Sequence, residues 1–346
     1  MRDVLDSLET WRQNNEEIAV ATIVKTWGSA PRPVGSKLVL TRSGGIAGSV
    51  SGGCVEGAVI DEGRSVLDTG KPSLLTFQVA DEEAWEVGLP CGGTIQVFVE
   101  PFSALGGIYG SLKQHLENRR PIAVTGTLKG PPEYINRKLI VLEDGRIEGD
   151  LIIPGQTNLI VSTALDMLGK ETGGILDLKE TSIFIEVYPP TPRLIIVGAV
   201  HIAEKLVSIA RTVGFDTIVV DPRRTFLTRE RFPHASEMVQ EWPSEALAGM
   251  VLNNSAYIVV LSHDPKLDDP ALQVALRSKA RYVGAIGSRR TNQKRIERLR
   301  AAGLTDEQIA RLHAPIGLDI SARLPGEIAL SIMAEVIQVR NTPPLT

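Results

Sequence analysis

The chain has 346 residues, of which 43% are hydrophobic and 23% charged, with a formal net charge of −4. That length allows two or three domains and a core large enough to need no covalent staples. The mild acidity, with no basic block and no zinc-ligand spacing, argues against a nucleic-acid partner, and no apolar stretch reaches membrane length. The opening MRDVLDSLETW reads as an amphipathic helix and not as a leader, so the cytoplasm is the expected compartment. Strand patterns follow at Ile18–Val24, Lys37–Leu40 and Thr94–Val99, with a helix over Val55–Leu67 between the last two. Beyond Pro101 come a helix at Gly110–Asn118 and strands at Ile122–Leu128, Leu139–Leu142 and Arg146–Ile152, the last two joined by the turn residues Asp144-Gly145. A helix over Thr157–Leu168 and a strand over Ile183–Val187 close this half, and no internal repeat is evident.

A proline-rich joint at residues 189–192 separates this region, 1–188, from a second one, 193–346; a further subdivision near residue 102 is possible. In the second region short apolar runs, Arg193–Val197, Thr217–Val220, Tyr257–Leu261 and Arg281–Ile286, alternate with helical patterns. The helices are Ile202–Val213, Ser244–Val251, Pro270–Ser278, Arg290–Ala301, Thr305–Leu312 and Pro325–Val339. Fully apolar strands alternating with helices predict a parallel sheet covered on both faces. The expected fold is α/β: a mixed N-terminal domain followed by a Rossmann-like, doubly wound parallel sheet.

The stretch IVGAVHIA, residues 196–203, has the strand–glycine–helix form of a dinucleotide fingerprint, and Asp221 ends the next strand where an acid meets a ribose hydroxyl. Val200, however, stands where a second glycine lets backbone approach a pyrophosphate, so NAD(P) is a weak cofactor signal. Polar groups gather where ligands collect in such sheets: Gly198 and His201 after the first strand, Asp221 and Arg223 after the second, His263 and Asp264 after the third. Gly287, Ser288 and Arg289 open a helix and suit a phosphate. Asp268 and Asp269 read as caps of a helix beginning at Pro270.

Only two cysteines occur. Cys54, after Gly52 and Gly53, falls at a predicted helix start, where free N–H groups favour a thiolate. Cys91 lies beside Gly92 and Gly93, just before a strand. Thiolates in open, glycine-rich turns suit a soft metal or persulfide sulfur. The turn Trp27–Lys37 adds Arg32 and Lys37, donors that suit a phosphate. No structural disulfide is expected in a reducing cytosol, and the five histidines lack metal-ligand spacing.

Seven motifs in order, SVSGGCVEGAV, VGLPCGGTIQVFVEP, VVDPRR, LSHDPKLDDPAL, YVGAIGSRRT, APIGLDI and PGEIALSIMAEVI, resemble the XdhC/CoxI family of xanthine dehydrogenase accessory factors. The resemblance implies a non-catalytic chaperone that binds the molybdenum cofactor, molybdopterin or its cytidine dinucleotide form. It would support sulfuration of the cofactor with a cysteine desulfurase and deliver it to a xanthine dehydrogenase-type molybdenum hydroxylase. On this reading Cys54 and Cys91 converge on the metal. The family usually has Gly-Ala-Gly-His where this chain has Gly198-Ala199-Val200-His201. Two other readings stand beside it: an NAD(P)-dependent oxidoreductase, and a docking module that leaves the cofactor untouched. A homodimer is expected on general frequency alone.

Overall fold

The computed structural model describes residues 1–28, 30, 32–78 and 93–342. They divide into two compact units, Met1–Pro190 and Thr191–Thr346.

The first unit begins with α1 (Leu5–Gln13), β1 (Ile18–Trp27), β2 (Lys37–Thr41), β3 (Ile46–Gly48), α2 (Glu56–Thr69), β4 (Ser73–Phe77) and β5 (Thr94–Pro101). It continues with α3 (Tyr109–Glu117), β6 (Ile122–Lys129), β7 (Lys138–Leu142), β8 (Ile147–Gly149), α4 (Thr157–Gly169), β9 (Gly174–Asp177) and β10 (Ser182–Tyr188). The strands form two antiparallel five-stranded sheets, ordered β3-β2-β1-β5-β4 and β8-β7-β6-β10-β9. Both sheets are covered on both faces, so their central strands β1, β5, β6 and β10 are mostly buried, with Thr22, Glu100, Thr125 and Thr127 among the buried polar residues, and the strand period of two sorts each residue to a side. Ala19, Ala21 and Ile23 pack beneath α2, whereas Ile18 and Val20 face inward with Ile122 and Val124 of the other sheet and Leu8 and Leu112 of α1 and α3.

The identical strand order corrects the expectation of no repeat. Burial constrains the polarity and approximate volume of a core residue far more than its identity, so one topology can recur without a conspicuous repeat in the letters. The strand expected at Arg146–Ile152 stops at Gly149, whose φ of 122° turns the chain away. Strands β3, β4 and β9 escaped the apolar-run criterion because they are short and half-exposed at or near sheet edges.

The second unit contains β11 (Arg193–Val197), α5 (His201–Thr212), β12 (Asp216–Val220), β13 (Glu237–Val239), α6 (Pro243–Ala248) and β14 (Ala256–Val260). After these come α7 (Pro265–Arg277), β15 (Tyr282–Ala285), α8 (Arg289–Ala301), α9 (Asp306–Ala310), β16 (Leu312–His313) and α10 (Pro325–Asn341). All six strands are parallel, in the order β13-β12-β11-β14-β15-β16, the doubly wound arrangement expected. Leu194 and Ile196 feed one core with α5 and α10, and Ile195 and Val197 feed the other with α7. Helix α7 begins five residues earlier than expected, with Pro265 in its first turn and Asp264 as its cap, so Pro270 lies inside it.

Candidate functional site

The glycine-rich loop before α2 is folded around one side chain. The N–H groups of Ser51, Gly52 and Gly53 donate to the Glu56 carboxylate at 2.9, 3.0 and 2.8 Å. Ser49 Oγ donates to Oε1 at 2.7 Å, and the Ser51 hydroxyl makes a short bond to Oε2. Gly52 and Gly53 adopt φ of 79° and 125°, conformations that favour glycine, with open space where a Cβ would stand. Cys54 sits exposed on this clasped turn, two residues before α2 begins.

This corrects the expectation that free N–H groups stand at this helix start to favour a thiolate: those of Ser51, Gly52 and Gly53 are committed to a carboxylate of the same chain. The sequence signal was present in two serines and a glutamate five residues beyond the second. Burial alone would raise the Glu56 pKa, but the hydroxyls of Ser51 and Ser49 and the N–H groups of Ser51 and Gly53 outweigh it and hold it at about 2. A carboxylate depressed in this way stabilises the fold fully above its ordinary value of 4.5, and the contribution is lost as pH falls through about 2. Amide hydrogen exchange at Gly52 and Gly53 is therefore expected to stay protected at pH 4–5 and to lose protection near pH 2. Equal protection at both pH values would contradict the clasp.

The structure contains its own comparison for this loop. At the corresponding helix start, before α4, the N-cap residue Gln156 makes no side-chain cap bond, and Thr157 braces the preceding turn: its Oγ1 accepts from the Ile153 N–H at 3.0 Å and donates to the Ile153 carbonyl at 2.9 Å. Between Ile153 and Thr157 there is neither a cysteine nor a carboxylate; Asp150, ahead of them, accepts from the Lys138 N–H and pairs with Arg137. The equivalent helix on the other sheet starts without a Gly-Gly-Cys sequence.

The other N-terminal candidates separate. Arg32 is exposed in the β1–β2 turn. Lys37 is not available to a phosphate, because it is buried and its Nζ donates to Thr22 Oγ1 and Glu186 Oε2, both at 2.9 Å. Gly93 is buried at the entry to β5. Cys91 and Gly92 lie outside the described residues, and among the described residues no group of three or more His, Cys, Asp or Glu could hold a metal ion.

In the second unit Gly198 turns the chain after β11 with φ of 103°, and a Cβ there would lie 2.9 Å from the Ser262 nitrogen. Val200 caps α5 with no side-chain bond, and His201 is exposed. Asp221 is fully buried and accepts from the Ala199 N–H at 2.8 Å, from the Arg223 N–H at 2.9 Å, and from Arg223 Nε and Nη2 at 2.9 and 2.7 Å. Burial pushes its pKa up, but these donors prevail and hold it below the usual carboxylate range. The reading of Asp221 as a ribose acceptor is thereby corrected: its lone pairs are taken and its oxygens face no solvent. Arg223 lies over the Phe226 ring at 4.4 Å.

At the end of β14, His263 is exposed with φ of 63°, and Asp264 caps α7 by accepting from the Lys266 N–H at 3.0 Å. Asp268 and Asp269 are not caps. Asp268 is buried, bonded to Ser262 Oγ at 2.5 Å and paired with buried Arg295 at 3.0 Å, while Asp269 pairs with Arg298. Both lie within the first turns of α7, on positions that face α8. Gly287 has φ of 143°, Ser288 caps α8 by accepting from the Thr291 N–H at 3.1 Å, and Arg289 is exposed in its first turn.

Two family models match in chain order: the XdhC and CoxI family over residues 11–78, and the XdhC Rossmann domain over residues 194–336. The chain belongs to the XdhC/CoxI family. The first match contains the whole Cys54–Glu56 turn, and the second runs from β11 into α10. The chain is 28% identical over 341 residues to a probable xanthine dehydrogenase subunit of Bacillus subtilis, covering 96% of each. It is 27% identical over 322 residues to the molybdenum cofactor insertion chaperone PaoD of Escherichia coli, covering 93% of this chain and 83% of that one. A solved Bacillus halodurans structure described as a xanthine dehydrogenase superposes with a TM-score of 0.76 at 26% identity, covering 97% of this chain and 95% of the other.

Proposed function

We propose that this XdhC/CoxI protein is an accessory factor that binds the molybdenum cofactor, supports its sulfuration and delivers it to a xanthine dehydrogenase-type molybdenum hydroxylase. The observation that carries the reading is the exposed Cys54 thiol on a turn preformed by Glu56, within the stretch the family model matches. The names of the relatives point the same way.

The chemistry of the donor set fits the cofactor. A thiol is a soft ligand suited to a soft, oxidisable metal centre, and the cofactor when bound supplies a molybdenum held by pterin dithiolene sulfurs. Cys54 would bind at the metal, with Cys91 as a second thiol ligand. Arg32 would neutralise the cofactor phosphate. Glu56 would act through the backbone, keeping the turn in one conformation so that little ordering is required on binding. A cysteine desulfurase and the recipient hydroxylase are the proposed partners, and a homodimer the proposed assembly.

Protein purified from a host that makes the cofactor is expected to carry molybdenum and a releasable fluorescent pterin. Cys54→Ala should reduce retained molybdenum by roughly 10-fold or more, the scale at which loss of site residues weakens metal binding. Unchanged retention in both the Cys54→Ala and Cys91→Ala variants would overturn the reading in favour of a docking module. The oxidoreductase reading receives no support at the β11 turn, where Val200 and the committed Asp221 leave neither of the two usual contacts to a dinucleotide.

A further inference from the structure

The two halves of the first unit correspond residue by residue. Lys37 and Lys138, Gly44 and Gly145, Gly48 and Gly149, and Val59 and Ile160 are each separated by 101 residues. Asn15 and Arg119, Ile18 and Ile122, and Val20 and Val124 are separated by 104, and Phe98 and Phe184, like Glu100 and Glu186, by 86. The spacing changes only in the connections. Segments 14–20 and 118–124, NNEEIAV and NRRPIAV, and segments 35–48 and 136–149, GSKLVLTRSGGIAG and NRKLIVLEDGRIEG, retain shared residues at equivalent positions.

Backbone details repeat as well. Asn15 and Arg119 have φ of 55° and 54°, left-handed values that are uncommon outside glycine and least expected of the arginine. A Cβ on Gly48 would meet the Lys37 carbonyl at 2.2 Å, and one on Gly149 would meet the Lys138 carbonyl at 2.4 Å. The register agrees too: Glu100 lies opposite Val20, and Glu186 opposite Val124.

The contacts between the halves are reciprocal. Lys37 of the first half pairs with Glu186 of the second at 2.9 Å, and Lys138 of the second pairs with Glu100 of the first at 2.7 Å. Under the correspondence these are the same contact made twice. Both pairs are largely buried and line one cavity of about 30 Å³. Val24 and Phe98 meet their equivalents Leu128 and Phe184 in a cluster of four, again two from each half. Contact of i with j and of j with i is the mark of an isologous interface, the kind two identical chains form about a two-fold axis.

We infer that residues 1–190 are two copies of one module in tandem, and that each copy presents a self-complementary surface whose partner is a second copy of the same module, locked by two exchanged lysine–glutamate pairs. An unpaired charge is costly inside a packed interface, and a surface carrying one lysine and one glutamate has both charges satisfied when an equivalent surface is turned onto it through a two-fold. The copies differ in what they display: only the first carries the thiol turn.

Charge exchange in the full chain tests this. Lys37→Glu is expected to lower the thermal midpoint by on the order of 10 °C. Adding Glu186→Lys, across the copies, should recover at least half of the loss. Adding Glu100→Lys instead, within the first copy, should recover none, because both contacts then join like charges. Rescue by the within-copy exchange, or no loss from Lys37→Glu, would overturn the inference. Should the single variant fail to fold, a protease site inserted between the exposed Gly106 and Gly107 gives a second measurement: after cleavage the halves should co-elute at the original size, and their separation would overturn the inference.

Discussion

Replacing Arg295 by Met is expected to destabilise the Rossmann-like unit by about 3–5 kcal/mol, the cost of leaving a buried charge without its partner. Arg295 and Asp268 have side chains only 3% and 1% exposed. The guanidinium donates to Asp268 at 3.0 Å and to the Ile286 carbonyl at 2.9 Å, and also holds Asn292. Burial already pushes the Asp268 pKa above its ordinary value, and Ser262 and Arg295 offset that push only in part. Removing the cation strands the carboxylate and frees a carbonyl at the end of β15. In a unit of this size the apparent midpoint should fall by on the order of 10 °C in a thermal melt of the full chain. Adding Asp268→Leu should recover about 1–3 kcal/mol relative to the sum of the single effects, because the two groups are in contact. Strict additivity would show that the pair is not coupled.

Asp221→Ala is expected to cost about 2–3 kcal/mol, measured by denaturant unfolding, since the buried Ala199 N–H loses its acceptor. Arg223 is 40% exposed and can be rehydrated, which keeps the effect below that at Arg295. The same geometry makes a statement about ligands. Val200→Gly restores the missing fingerprint glycine, yet NADH fluorescence titrations should show no micromolar binding, because the Asp221 carboxylate remains turned onto its own loop. Micromolar binding by that variant would show that the valine was the sole barrier and that Asp221 can be recruited by a ribose.

Much of the architecture was readable from the letters alone. Fully apolar runs such as Leu194–Val197 and Tyr257–Leu261, alternating one by one with amphipathic helical stretches, point to a parallel sheet covered on both faces, because the intervening helices are the crossovers that parallel strands need. Gly198 before a helix identified the fold of the second unit, and the glycine-flanked Cys54 marked a turn of chemical interest. Those signals are local: they depend on polarity period, on glycine's access to positive φ and on residue type, all of which act within a few positions.

What the letters left open was which charged group meets which. Arg32 and Lys37 are five residues apart, yet Lys37, opening β2, is buried against Glu186, whereas Arg32 lies at the surface of the preceding turn. Asp221 and Asp268 are equally acidic in sequence, but one closes the turn it was expected to open to a nucleotide, and the other joins α7 to α8. Glu56 was legible only as a helix residue until the loop before it was seen wrapped around its carboxylate. Such pairings are set by desolvation, and burial forces each charge to take whatever counter-charge the packed elements bring within about 3 Å. Period and propensity therefore determined the elements and their layers, while the assignment of each ionisable side chain to a ligand or to the scaffold was decided by tertiary packing.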